Sequence, residues 1–266
     1  MTRLIDAPQI RLLTREHWAE IEEDASERIW ALLGQAVHTI LERAETQALT
    51  EERLFAEIEG WSISGQFDRL AYFPTRGLLQ DYKVTSAWSV LDGPRPEWAR
   101  QLNALRYLAT KHGYPVSRLQ VVAILRDWSR GKALSGGNYP QAHVVTLEVP
   151  VWPMHQTDTY LRERVHLHRL AEYQQARGGA MPECTPEERW ERLPTFAVRK
   201  AGRKTAVRVF DTEAEAQALA ATLSGGYVEI RPGASVRCAD YCAVRGFCAQ
   251  RARLQEIGSD EQEQAA

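Results

Sequence analysis

The sequence predicts an α/β protein, a mixed β-sheet flanked by helices, and three observations predict it. Segments with helical and strand periodicity alternate through residues 27–178. Two runs with alternating apolar positions, 53–72 and 78–85, are parted only by the turn-forming "FPTRG". The β-branched run "LQVVAILRDW", 119–128, reads as a buried strand.

The elements follow in order. "ERIWALLGQAVHTILERAE", 27–45, repeats Ile29, Leu33, Val37, Ile40 and Leu41 at helical spacing. The strand pair around "FPTRG" comes next. "PEWARQLNALRYLATKHG", 96–113, reads as a helix that Gly113 ends. After the 119–128 strand, "HVVTLEVPVW", 143–152, is a further strand, and 157–177 is a charged amphipathic helix. Trp61, Trp98, Trp128, Trp152 and Trp190 are read as packing residues. A smaller unit follows. "TFAVRK" and "TAVRVF" flank "AGRK" as a hairpin, "TEAEAQALAATL" is helical with Thr212 as N-cap, and "YVEIRP" returns as a strand. The polar "GSDEQEQAA" at the end is expected to fray. Two regions are expected: a core at 1–182, and a cysteine-bearing region at 183–266 that encloses the small hairpin–helix–strand unit.

The chain has 266 residues, 44% hydrophobic and 26% charged, enough for a sizeable core. No run of 18 apolar residues suggests a membrane span, and the start lacks a secretory layout, so a cytoplasmic protein is expected. The net charge of −2 neither advertises nor excludes a nucleic-acid partner, because local patches govern the field at a cleft.

Asp68, Asp81 and Lys83 carry the chemistry. In a hairpin centred near Thr75, facing residues have numbers summing to roughly 150, so position 68 faces 81 or 82. Asp81 and Lys83 are two apart on one strand and share a face. Two carboxylates about 4 Å apart repel by about 4 kcal/mol at an effective dielectric of 20. A cation, a shared proton or solvent must offset that. Hard oxygen ligands suit Mg²⁺ or Mn²⁺, and Lys83 beside such an ion could serve a water or a developing phosphorane charge. The same residues also fit a surface strand pair with an Asp–Lys ion pair.

"G65-Q-F-D68", then "D81-Y-K83", then Gln101 on the next helix, with "G34-Q-A-V-H38" before them, resembles the PD-(D/E)XK nuclease superfamily in its RecB-like exonuclease branch. The resemblance implies a restriction-endonuclease-like sheet and a metal-dependent deoxyribonuclease. It implies His38, Asp68, Asp81 and the Tyr82 carbonyl as metal ligands, Lys83 as the catalytic lysine, and Gln101 as the residue that orients it or the substrate strand. Gly34, one turn before His38, is expected to let the helix approach the sheet closely. That branch carries a tyrosine four residues after the glutamine, where this chain has Leu105.

Cys184 stands alone, and "C238-A-D-Y-C242-A-V-R-G-F-C248" holds the other three cysteines. In a cytosolic chain this spacing argues for one Cys₄ metal centre, and zinc or [4Fe–4S] would accept it. Zinc sites favour two tight pairs, which a one-plus-three layout is not. The layout resembles the iron–sulfur nucleases of the same superfamily, the AddB subunit and the CRISPR-associated adaptation nucleases, although those commonly space the trio C-x₂-C-x₅-C. The expected role is structural, because the cluster closes a long loop.

Arg199, Lys200, Arg203, Lys204 and Arg208 gather around the later hairpin and would contact phosphates without reading sequence. A solvated turn is the plainer reading of the same residues. Trp88 could stack a base of a single strand, although tryptophan is more often core. The expected partner is DNA, single-stranded or at duplex ends, in phage- or recombination-type processing that could involve a recombination or single-strand-binding protein. Two other readings stand beside it: a non-catalytic DNA-binding or assembly subunit, and a CRISPR-adaptation-type endo- or exonuclease.

Overall fold

In the computed structural model, residues 2–26, 28–45, 47–73 and 76–255 are described. The turn residues Pro74 and Thr75, and the tail at 258–266, lie outside them. The chain divides into two compact units, Met1–Pro8 with Glu22–Met181, and Gln9–Ile21 with Pro182–Ala266.

Two short helices, α1 (Thr2–Ile5) and α2 (Pro8–Glu16), precede α3 (Ile29–Ala44). The strands β1 (Leu49–Thr50), β2 (Arg53–Ile58), β3 (Trp61–Gln66), β4 (Arg69–Phe73) and β5 (Arg76–Thr85) come next. They are followed by α4 (Pro96–Lys111), β6 (Val116–Leu125), α5 (Arg130–Leu134), β7 (Val144–Val149) and α6 (Met154–Ala176). The main sheet has the order β1-β4-β5-β6-β7 and is mixed: β5 and β6 are parallel and the other pairs antiparallel. The β5–α4–β6 crossover explains the parallel pair, since parallel neighbours need a long connection.

The core lies between the sheet and α4 and α6. Phe67, Leu70, Leu79, Leu102, Leu105, Leu108, Leu119, Val121, Leu161 and Val165 are buried there. Helix α6 buries Thr157, Leu161, Val165, His168 and Ala171, one stripe at helical spacing. Gly113 takes φ +87° just past the end of α4, the left-handed conformation that stops a helix. Trp98 is buried, whereas Trp190, expected to pack, is 44% exposed. Its φ of +52° turns the chain, and its ring lies against Tyr241 and Arg237.

Residues 53–72 do not form one strand. Glu59 at φ +50° and Gly60 at φ +75° make a two-residue turn of the primed kind, which folds β2 back on β3 as a separate two-stranded sheet. Helix α3 forms over its expected range but buries no residue, and Ile29, Trp30, Leu32, Leu33 and Ile40 are exposed. A Cβ built at Gly34 would meet nothing within 4 Å, so that glycine does not serve a close approach to the sheet. Among the described residues, no helix is long and apolar enough to cross a membrane.

In the second unit, β8 (Glu191–Arg192) pairs with β12 (Ala234–Ser235). A three-stranded sheet has β9 (Thr195–Lys200) at its centre between β10 (Arg208–Phe210) and β11 (Gly226–Arg231), with α7 (Glu213–Ala221) packed on it. Val198, Ala216 and Ala220 form its small core, with Phe196, Phe210, Leu219 and Val228 around them.

Candidate active site and cysteine centre

The β4–β5 ladder pairs Arg69 with Gln80, which sets the numbers of facing residues to sum to 149 and would bring position 68 opposite 81. The ladder stops there. Tyr82, the next residue of β5 whose N–H and C=O face that side, is met by the site itself. Asp68 Oδ2 accepts from Tyr82 N at 2.6 Å, and His38 Nε2 lies 3.1 Å from the Tyr82 carbonyl oxygen. Where β4 ends, an aspartate and a histidine take over the main-chain groups it leaves, as buried backbone polar groups require.

His38 Nδ1 lies 3.5 Å from Asp68 Oδ1 and 3.4 Å from Glu51 Oε1. His38, Glu51 and Asp68 together are a three-ligand cluster whose donor atoms all lie within 4.8 Å of one another. Sequence reasoning missed Glu51. It sits outside any periodic run, and the available signal was only an acidic residue a few places ahead of a strand. In the structure it holds φ +50°, its N–H donates to the Asp68 carbonyl at 3.3 Å, and its Oε2 accepts from Gln66 at 2.7 Å. Strained backbone at a polar cluster is a mark of functional positions.

Asp81 and Lys83 share one face of β5, and Gln101 of α4 reaches both. Asp81 is buried, and its Oδ2 lies 2.6 Å from Lys83 Nζ in an ion pair without hydrogen-bond alignment. Gln101, on α4, donates from Nε2 to Asp81 Oδ1 at 3.1 Å and accepts at Oε1 from Lys83 at 3.3 Å. The structure therefore gathers His38, Asp68, Tyr82, Asp81, Lys83 and Gln101 around one stretch of β5. Within it, Glu51 rather than Asp81 completes the tightest donor cluster. Burial, and then the Asp81 charge, push the Asp68 carboxyl up to about 7. Leu105 is buried in the core, and Tyr107 donates its hydroxyl to Asp158 at 2.8 Å.

Cys184, Cys238, Cys242 and Cys248 line one small cavity of the second unit, together with Gln9, Arg189 and Arg237. None forms a disulfide. Among the described residues, no three of these sulfurs lie within 4.8 Å of one another. Gln9 Nε2 lies 2.8 Å from Cys184 Sγ and 2.6 Å from Gln250 Oε1, which also accepts from Cys184 N at 2.9 Å. Burial pushes the Cys184 thiol up to about 12 and raises that of Cys238.

The basic residues of the later hairpin divide. Lys200, Arg203 and Lys204 are exposed in and beside its turn. Arg199 lies within β9, with Nε 3.5 Å from Glu229 Oε2, and the Arg208 guanidinium sits 4.8 Å from the Phe210 ring. Trp88 follows β5 in a short 3-10 turn (Ala87–Val90) and is 60% exposed.

No family model matches the chain, and no curated protein matches it. Among solved structures it is similar to that of SSO0001, at 16% identity and a TM-score of 0.46, over 62% of this chain and 74% of that one. It is also similar to the "Putative exonuclease" of Eubacterium rectale, at 12% identity and a TM-score of 0.31, over 65% of this chain and 64% of that one.

Proposed function

We propose that this chain is a Mg²⁺- or Mn²⁺-dependent nuclease of the RecB-like type that hydrolyses phosphodiester bonds in DNA, acting on ends or single strands. One observation carries the reading. A histidine, an aspartate and a strand carbonyl converge at Tyr82, while a lysine, an aspartate and a glutamine form a linked set one residue to either side of it.

The residues present fit a divalent ion. Asp68, Glu51 and His38 offer three donor atoms within reach of one centre, and the Tyr82 carbonyl and Asp81 lie beside them. Their chemistry, oxygen with one imidazole, suits a hard cation. Bound there, the ion would supply Lewis-acid stabilisation of charge on the phosphate. Lys83 is held by Asp81 and Gln101, so its ammonium is pre-oriented to position the attacking water and to meet the negative charge that develops in the transition state.

The four cysteines would hold a [4Fe–4S] cluster in preference to zinc. All four line one cavity, and their one-plus-three spacing along the chain fits the paired knuckles of zinc sites poorly. Lys200, Arg203 and Lys204 are suited to phosphate contacts.

The test is incubation of end-labelled linear DNA and closed circular DNA with Mn²⁺ or Mg²⁺, using wild type and Lys83→Ala. Wild type is expected to degrade the linear substrate, and Lys83→Ala to lose that activity. Nicking of circles would move the reading to an endonuclease. Metal-independent binding by wild type without cleavage would leave the non-catalytic DNA-binding subunit, a reading that Leu105 in place of the tyrosine favours.

A further inference from the structure

Two exposed aromatic side chains sit beside the candidate site, each paired with a cation. Trp30, on the helix that carries His38, is 51% exposed, and the Arg126 guanidinium stands 4.1 Å from its ring centroid. Trp88 meets Tyr139 edge-on at 6.0 Å, with Lys132 Nζ 5.6 Å from the Trp88 ring and 5.8 Å from the Tyr139 ring. Large aromatic surface held open to solvent costs hydration free energy, so such groups mark binding surfaces more often than single exposed aliphatics do.

Their place in the fold is specific. Trp88 comes three residues after Thr85, the last residue of β5, and Arg126 comes directly after Leu125, the last residue of β6. The ends of these two parallel strands are tied together: Arg126 N donates to the Thr85 carbonyl at 2.9 Å, and Ala87 N donates to Asp127 Oδ1 at 2.7 Å. The carboxyl ends of parallel strands are where α/β sheets bind ligands. Lys83 is two residues before Thr85. Trp30 is eight residues before His38 on one helix, about 12 Å along its axis. Both stations are thus within a short strand's reach of the Asp68–Lys83 site.

The chemistry selects the occupant. Aromatic faces stack on bases of any sequence, and adjacent arginine and lysine neutralise phosphates. In a duplex the base faces are covered by stacking within the helix, so exposed rings favour a single strand. We propose that Trp30 with Arg126, and Trp88 with Tyr139 and Lys132, form a two-station platform that stacks bases of a single DNA strand beside the Asp81–Lys83 centre. This rests on the nuclease reading for its substrate class and adds strandedness and the residues that select it.

The experiment measures binding without turnover. Fluorescence anisotropy of a labelled oligothymidylate and of a blunt duplex is followed in EDTA with full-length wild type, Trp30→Ala, Trp88→Ala, Trp88→Phe and Arg126→Ala. Each Trp→Ala change is expected to weaken single-strand binding about tenfold, the loss of one stacked base. Trp88→Phe should retain most of the affinity, duplex binding should change little, and the thermal midpoints of these exposed-site variants should match wild type. Equal single-strand affinity in wild type and both Trp→Ala variants, or no single-strand binding by wild type, overturns the platform. Tryptophan-dependent binding by a protein that cleaves nothing would keep the platform while removing the hydrolase reading. Cleavage that survives with tryptophan-independent binding would do the reverse.

Discussion

Gln101 Nε2 donates to Asp81 Oδ1 at 3.1 Å, from a helix that crosses the sheet strand carrying Asp81. The same amide accepts from Lys83 at its oxygen, so it braces both ends of an ion pair already in contact. Lys83→Ala is expected to lower kcat at least about 100-fold, the scale of a positioned proton-transfer or charge-stabilising group. It also leaves Asp81 buried without its cation, so metal-free Lys83→Ala should be destabilised by about 3 kcal/mol in urea unfolding. Gln101→Ala keeps the ion pair and should lose less, about tenfold in kcat. A Gln101→Ala enzyme as impaired as Lys83→Ala would show that the amide itself touches the substrate.

Glu51 takes a strained conformation that brings its carboxylate to His38 and Asp68. If it ligates a divalent ion, Glu51→Gln, which keeps the shape and removes the charge, should weaken Mn²⁺ binding about 10- to 100-fold by calorimetry. Apo stability should barely change. Unchanged Mn²⁺ affinity would return Glu51 to a purely structural role as the partner of Gln66.

Much of this site was legible in the sequence because strands obey a period of two. The shared face of Asp81 and Lys83 follows from that period, and the register around one tight turn brings Asp68 to β5 next to them, one residue past the last ladder pair. Gln101 was legible only through resemblance, because no periodicity says which turn of α4 overlies β5. Glu51 was not legible, since its position depends on a left-handed backbone that a glutamate seldom adopts. The turn at Glu59–Gly60 was missed for the same reason. Helix α3 shows the opposite failure. Its apolar spacing gave the right element, yet none of those residues is buried, because periodicity reports amphipathic shape and not what covers the apolar face.

The site should also leave a mark on stability against pH. Burial first, and the Asp81 charge second, raise the Asp68 carboxyl from its ordinary 3.8 to about 7, against the opposing pull of the Tyr82 N–H, His38 and Lys83. The folded protein therefore holds a proton there that the unfolded chain releases near 3.8. Linkage then makes this group's contribution full below pH 3.8, falling as pH rises, and lost above about 7. Asp68→Asn removes the titration. In EDTA, wild type should lose stability between pH 5 and pH 8 relative to Asp68→Asn, read as the difference in urea midpoints. Parallel profiles for the two proteins would mean that Asp68 is already ionised at pH 5.

The cysteine centre predicts a spectroscopic result that does not depend on nuclease activity. Anaerobically purified wild type should show a broad absorption shoulder near about 400 nm, and Cys248→Ser should lose it. Four cysteine side chains around one cavity, with no cluster between them, absorb nothing near about 400 nm. Gln9 sharpens the test. Its Nε2 lies 2.8 Å from Cys184 Sγ, and a hydrogen bond to a ligating sulfur favours the more negative, reduced state of a cluster. Gln9→Leu should therefore retain the shoulder but shift the midpoint potential to a more negative value in an anaerobic titration. A colourless protein that carries stoichiometric zinc would end the iron–sulfur assignment while leaving the Cys₄ centre in place.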